Sequence, residues 1–271
     1  MRVGLKAVIF DWAGTMIDFG SRAPVIALCH VFEAHGVPIT EAEAREDMGR
    51  AKRDHIGALL VKPRIAAAWQ AAKGSLPSVV DGDMIFNAIG DSMRAAAREC
   101  ATLVPGAATV AQSLQAQGVK IGSCTGYSRD MMDDILSMAK AQGYDPNHVV
   151  CAGETPSGRP SPFMVWQNLI ALNVWPAEAC LKVDDTEVGI MEGRAAGVWT
   201  VGVVRSGNIV GLSEDALMAL PVSEREARLA AARETLLAAG AHLVIDTVAN
   251  LTDALAQLPT AAGLQSNAKV T

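Results

Sequence analysis

Several short segments of the 271-residue chain carry the residue types that phosphorus chemistry needs. Asp11-Trp12-Ala13-Gly14-Thr15 follows the apolar run Ala7–Phe10, and Thr125-Gly126-Tyr127-Ser128-Arg129 follows Val119–Cys124. Asp184-Asp185-Thr186 follows Cys180–Val183, and Gly158-Arg159-Pro160 lies just past His148–Cys151. Carboxylates are hard ligands for Mg²⁺, Arg159 is a permanent cation for phosphoryl oxygens, and helix-start amides can donate to the same oxygens. Any one of these residues alone could be a helix cap; several in register after successive strands are harder to read that way. A further segment, Met48-Gly49-Arg50-Ala51-Lys52-Arg53-Asp54-His55-Ile56, offers different chemistry. As a helix it would gather Met48, Lys52, His55, Ile56 and Leu59 on one face. A lysine desolvated by such a face loses its proton more readily, and its neutral amine can form a Schiff base with a carbonyl. The plainer alternatives are a lysine snorkelling to solvent and a histidine satisfied in the core.

The elements that must hold these groups follow from hydrophobic patterning. The runs Ala7–Phe10, Val119–Cys124, His148–Cys151, Cys180–Val183, Trp199–Val204 and Leu243–Ile245 barely alternate, as in strands of a parallel sheet covered on both faces. Helical patterns over Ala107–Gln117, Arg129–Gln142 and Glu187–Ala196 end at Gly118, Gly143 and Gly197, each a C-terminal cap signal. The prediction is an α/β fold, a doubly wound, mainly parallel sheet with a Rossmann-like core, whose ligands gather beyond the carboxyl ends of the strands. Residues 21–100 break the alternation. They show only helical patterns, including a Thr40/Glu43 capping box, and read as an inserted all-helical cap. The expected core is therefore 1–20 with 101–258, and 259–271 a flexible tail.

The core segments resemble the haloacid dehalogenase superfamily: an aspartate in DxxGT, a Thr after the second strand, a basic residue, and an acidic pair. That resemblance implies Asp11 as the nucleophile, forming an aspartyl-phosphate. It implies Mg²⁺ held by Asp11, Asp185 and the backbone carbonyl of Ala13, with Thr125 and Arg159 on the phosphoryl oxygens. Ala13 stands where phosphatases of the superfamily usually carry an acid for an oxygen leaving group, and it cannot exchange a proton. Together, DWAGT, Ala13 and MGxxKxDHI resemble the phosphonoacetaldehyde hydrolases (phosphonatases). The resemblance implies P–C bond hydrolysis to acetaldehyde and phosphate in 2-aminoethylphosphonate degradation, with Lys52 as the Schiff-base residue. It also suggests His55 as a proton shuttle, Met48, Gly49, Gly126 and Tyr127 around the substrate, and a homodimer joined through cap helices. The run Val25–Phe32 could serve that dimer or the cap's own core. The acidic-pair motif departs from the family, which usually has glycine before the metal aspartate and an acid four residues later. Here Asp184 and Gly189 occupy those places, so Asp184 is a possible compensating ligand. The competing functions are a Mg-dependent phosphate-ester phosphatase or mutase, which Ala13 disfavours, and an inactive binding protein.

Composition narrows the partners. With 23 Lys+Arg against 29 Asp+Glu the formal charge is −6, which disfavours nucleic acid and anionic membrane surfaces. Aromatic residues at 4% offer no base-stacking platform. Five scattered cysteines without CxxC suggest neither a disulfide framework nor a zinc site, and no apolar stretch approaches a membrane span. A cytoplasmic enzyme of a small phosphonate is the expectation. Gly153–Gly158 has P-loop spacing but lacks its lysine and hydroxyl, so it is discounted.

Overall fold

A computed structural model of the chain describes residues 4–48 and 52–255. The six-stranded sheet is parallel throughout, in the order β3-β2-β1-β4-β5-β6, with β1 (Ala7–Phe10), β2 (Lys120–Cys124), β3 (His148–Val150), β4 (Cys180–Asp184), β5 (Trp199–Val203) and β6 (Leu243–Ile245). Every residue of β1 and β4 is buried, which is why these strands do not alternate. Burying a side chain such as Val8, Ile9 or Phe10 is worth about 1.5–3 kcal/mol each.

Five helices lie between β1 and β2 and before the return to the sheet: α1 (Ala23–Ala34), α2 (Glu41–Arg45), α3 (Lys52–Leu60), α4 (Pro63–Lys73) and α5 (Val79–Glu99). They form the expected helical cap. The Thr40/Glu43 capping box is present at the start of α2. Val25, Leu28, Val31 and Phe32 of α1 are buried and α1 packs along α5, so these residues of the run Val25–Phe32 belong to the cap core. Met48 departs from expectation: it sits in the turn after α2, not on a helical face shared with Lys52, while Gly49, Arg50 and Ala51 lie outside the described residues. So does the expected tail, 259–271.

The chain enters and leaves the cap through two segments that pair with each other. Ile17 bridges Leu103 in antiparallel fashion, Asp18 N–H donates to the Thr102 carbonyl at 3.1 Å, and Val104 N–H donates to that of Met16 at 2.9 Å. Asp18, in a left-handed conformation (φ 55°), accepts from the amides of Arg22 and Ala23, both at 2.9 Å, and so satisfies free donors at the start of α1.

Beyond the cap come α6 (Ala107–Ala116), α7 (Arg129–Ala141), α8 (Phe163–Ala171), α9 (Glu187–Ala196), α10 (Glu214–Ala219), α11 (Val222–Ala238) and α12 (Leu251–Ala254). Gly118, Gly143 and Gly197 follow α6, α7 and α9 with positive φ, as their positions implied. All five cysteines are free thiols, and no described helix is long and apolar enough to cross a membrane.

Candidate active site

The parallel register brings the ends of β1, β2 and β4 side by side, so the segments after them share one edge. Asp11 is the first residue past β1; its amide bonds to the Val183 carbonyl at 2.9 Å, which fixes it against β4. Asp184 ends β4 and Asp185 follows it. Asp11, Asp184 and Asp185 are all buried, and each offers an oxygen within 4.8 Å of the others.

Asp185 is held from several sides. Asn208 N–H, in the loop after β5, donates to its Oδ2 at 2.7 Å, and the Thr15 hydroxyl lies 3.4 Å from Oδ1. The loop after β1 closes tightly over it. Gly14 has φ +88°, and a Cβ there would fall 2.2 Å from Asp185 Oδ2, so only glycine fits both the backbone and the space. The Ser206 hydroxyl donates to the Gly14 carbonyl at 2.7 Å and ties the two loops together.

Arg159 reaches this cluster from the loop before α8. Its Nη2 donates to Asp11 Oδ1 at 2.7 Å and to the Cys124 carbonyl at 3.1 Å, while its Nε donates to Glu192 Oε2 at 3.1 Å. Behind it lies a residue that patterning did not single out. Lys182, on β4, is 0% exposed, with Nζ 2.9 Å from Asp184 Oδ2 and 3.2 Å from Glu192 Oε2. Burial and Arg159 oppose its charge, but Asp184 and Glu192 hold it protonated, above its ordinary range. A lysine inside a strand gives no sign of this; only the glycine-lined face of α9 packed against it does. A Cβ at Gly193 would lie 2.8 Å from Lys182 Cβ, so that position must stay bare.

Gly189 explains the departure in the acidic-pair motif. A Cβ built on it would lie 2.0 Å from Asp184 Cγ, so the Asp184 carboxylate fills the volume a side chain at 189 would use. Both Asp184 oxygens are engaged: Oδ1 by the Thr186 amide (3.0 Å) and hydroxyl (2.7 Å), Oδ2 by Lys182 and, at 3.4 Å, Arg159. Although burial opposes its ionisation, Arg159 and Lys182 keep its carboxyl below the usual range.

Four buried carboxylates (Asp11, Asp184, Asp185, Glu192) thus face two buried cations (Arg159, Lys182). The excess negative charge shows in the protonation equilibria. Burial, then Asp184, raise Asp11 to about 6, and burial, then Asp11 and Asp184, push Asp185 well above its ordinary value. A divalent cation among hard oxygens would offset that excess, so the residues present fit a metal ion.

Thr125 is buried at the end of β2, its hydroxyl accepting from Tyr127 N–H at 3.1 Å. Gly126 is exposed, with open space where a side chain would stand. Tyr127 is buried and its hydroxyl has no hydrogen-bond partner among the described residues. Ala13 follows in the loop after β1 and has no ionisable group. On the cap, Lys52 opens α3 half-buried, and burial pushes its ammonium down from 10.5 to about 8. His55, one turn on, is fully buried; burial, then the Lys52 charge, lower it to about 3, so its ring is neutral.

A haloacid dehalogenase-like hydrolase family model matches residues 5–197. The chain is 49% identical, over 91% of its length and 92% of the relative's, to a phosphonoacetaldehyde hydrolase of Paraburkholderia phytofirmans. It is 48% identical, with the same coverage of 91% and 92%, to one of Paraburkholderia xenovorans. Among solved structures, a phosphonoacetaldehyde hydrolase-like protein from Oleispira antarctica superposes with a TM-score of 0.91 at 42% identity, covering 94% of this chain and 93% of that one.

Proposed function

The chain belongs to the haloacid dehalogenase-like hydrolases and, within them, to the phosphonoacetaldehyde hydrolases, and from that premise we propose how its residues hydrolyse phosphonoacetaldehyde to acetaldehyde and phosphate. The observation that carries the reading is a pair. Ala13 cannot protonate a leaving group, while Lys52 has an ammonium that burial holds near neutrality.

The neutral Lys52 amine attacks the aldehyde carbon, and the carbonyl oxygen leaves as water, giving an imine. His55, as a neutral imidazole on the same helix, relays protons in that step. Once protonated, the imine accepts the electron pair of the breaking C–P bond as an Asp11 oxygen bonds to phosphorus. The products are an enamine on Lys52 and a phosphoryl group on Asp11. Protonation and hydrolysis of the first release acetaldehyde; water attacking the second releases phosphate. No acid at position 13 is needed, because the leaving carbon receives its charge into the iminium.

Thr125, the Gly126 backbone and Arg159 bind the phosphoryl oxygens, with Arg159 already placed on Asp11. Met48 and Tyr127 would flank the substrate; Gly49, also expected there, lies outside the described residues. Asp11, Asp185 and the Ala13 carbonyl would hold Mg²⁺, which when bound offsets the negative charge of both the nucleophile and the phosphonate. Asp184, with its oxygens engaged by Thr186, Lys182 and Arg159, stands behind that group. The same reading includes a homodimer joined through cap helices, which sedimentation at micromolar concentration tests directly, and a cytoplasmic setting.

Borohydride reduction with phosphonoacetaldehyde, followed by peptide mass mapping, should place an adduct on Lys52. Lys52→Arg should lose C–P cleavage while keeping its fold and metal affinity. Substantial residual cleavage in that variant would refute the Schiff-base role, whereas turnover of phosphate esters with no adduct would favour the ester phosphatase or mutase reading.

A further inference from the structure

We propose that Arg45 is a positioning residue that couples the seating of the helical cap to the order of the loop holding Asp185, so that cap closure and metal binding reinforce one another. The proposal builds on the metal site assigned above but not on the Schiff-base role of Lys52.

Arg45 is the last residue of α2, and its side chain crosses from the cap to the core. Nη1 donates to the carbonyls of Gly20 at 2.9 Å and Ser21 at 3.3 Å, both in the segment that leads into the cap. The same nitrogen lies 3.3 Å from Asn208 Oδ1, and Nη2 donates to the Gly211 carbonyl at 2.8 Å. Asn208 and Gly211 belong to the loop after β5, where Asn208 N–H donates to Asp185 Oδ2 at 2.7 Å. One guanidinium therefore joins the cap, the entering linker and the loop that orients a carboxylate of the candidate metal site.

The loop is shaped around this contact. Gly211 has φ +67°, and a Cβ there would lie 2.6 Å from Arg45 Nε and 2.8 Å from its Cζ. The guanidinium thus rests directly on the loop backbone. Three of its four acceptors are main-chain carbonyls, which water can satisfy when the cap lifts away, so the contact suits a reversible latch. Two other polar ties between cap and core differ in kind. Arg94–Asp130 and Arg98–Asp134, each 3.0 Å, are exposed pairs between α5 and α7, remote in sequence from the metal loop. Arg45 is also three residues before Met48, whose amide donates to its carbonyl at 3.2 Å, and seven before Lys52. Its seating therefore bears on the segment that carries the cap's contribution to the site.

Coupling of this sort is reciprocal. Amide hydrogen exchange on the full chain, with and without Mg²⁺, should show the metal slowing exchange in α2 and α3, helices that carry none of its ligands. Arg45→Gln should abolish that protection and weaken Mg²⁺ binding, measured by calorimetry, about tenfold, within the usual range of site-to-site coupling. Arg45→Lys should recover part of both. Gly211→Ala perturbs the same contact from the core side and should act in the same direction; it decides the matter if Arg45→Gln does not fold. Equal Mg²⁺ protection of α2 and α3 in wild type and in whichever variant folds would overturn the proposal. Lys52→Arg retaining C–P cleavage would overturn the Schiff-base reading alone, because neither readout here involves Lys52 chemistry.

Discussion

Replacing Lys182 by methionine tests the charge arrangement behind Arg159. The side chain is fully buried, and its ammonium stands 2.9 Å from Asp184 and 3.2 Å from Glu192, both also fully buried. Methionine keeps most of the volume and removes only the charge. Two carboxylates then lose a cation with no water to replace it, a change that typically costs about 3–5 kcal/mol. At roughly 2–4 °C per kcal/mol for domains approaching this size, the melting temperature should fall by about 6–20 °C. A second substitution turns this into a sharper test. Lys182→Met with Glu192→Gln removes one charge of each sign, so the same excess of buried negative charge remains for a divalent ion to offset. The double variant should recover most of the lost stability and bind Mg²⁺ nearly as wild type does. It should still bind phosphate more weakly, because the Arg159 Nε–H loses its carboxylate partner at 3.1 Å. Calorimetric melting and phosphate titration of the wild type and both variants would settle it. A Lys182→Met protein that melts with the wild type, or a double variant no more stable than the single one, would refute the reasoning.

Other expectations are simpler to state. Gly189→Ala places a Cβ 2.0 Å from Asp184 Cγ, so it should cost about 1–3 kcal/mol as overpacking and weaken Mg²⁺ binding; unchanged melting and affinity would mean Asp184 can move aside freely. On the proposed mechanism Lys52 attacks the aldehyde as a neutral amine, and burial lowers its ammonium to about 8, so kcat/KM should climb with pH and level off above about 8; a profile flat from pH 6 to 9 would contradict this. In the metal-free protein Asp11 is raised to about 6 and Asp185 well above its ordinary value, so Mg²⁺ binding near pH 6 should expel protons; calorimetry in buffers of different ionisation enthalpy should show the release.

Much of this molecule was legible as sequence because its signals are local. Unalternating runs such as Ala7–Phe10 and glycines such as Gly197 report their own conformation. Asp11, Asp185 and Arg159 stand out in the sequence because residues beyond parallel strands must meet at one edge, and the structure brings them together there. Lys182, Glu192 and Arg45 were not found, since their importance depends on what faces them. A lysine in a strand reads as an exposed position until α9 is seen to bring the bare Gly193 against it. Arg45 looks like any cation at a helix C-terminus, and its partners are carbonyls distant in the chain. Met48 lies in the turn after α2, which helical spacing alone does not register. The apparent loss of an acid at Gly189 was a matter of space: the carboxylate comes from Asp184 into the same volume.

The paired linkers at Ile17–Leu103 bear on how such a protein could have been assembled. Because the two ends of the insertion run side by side, the chain enters and leaves the cap as the two arms of a hairpin. Closing a loop whose ends are already adjacent becomes costlier only slowly with its length, by about 0.6 kcal/mol per doubling. The entropy of closing the core is therefore nearly indifferent to how much chain the hairpin carries. An ancestral core with a short turn between Met16 and Val104 could accept a lysine-bearing helical module without rebuilding its sheet, and so gain a carbonyl chemistry its aspartates alone could not perform.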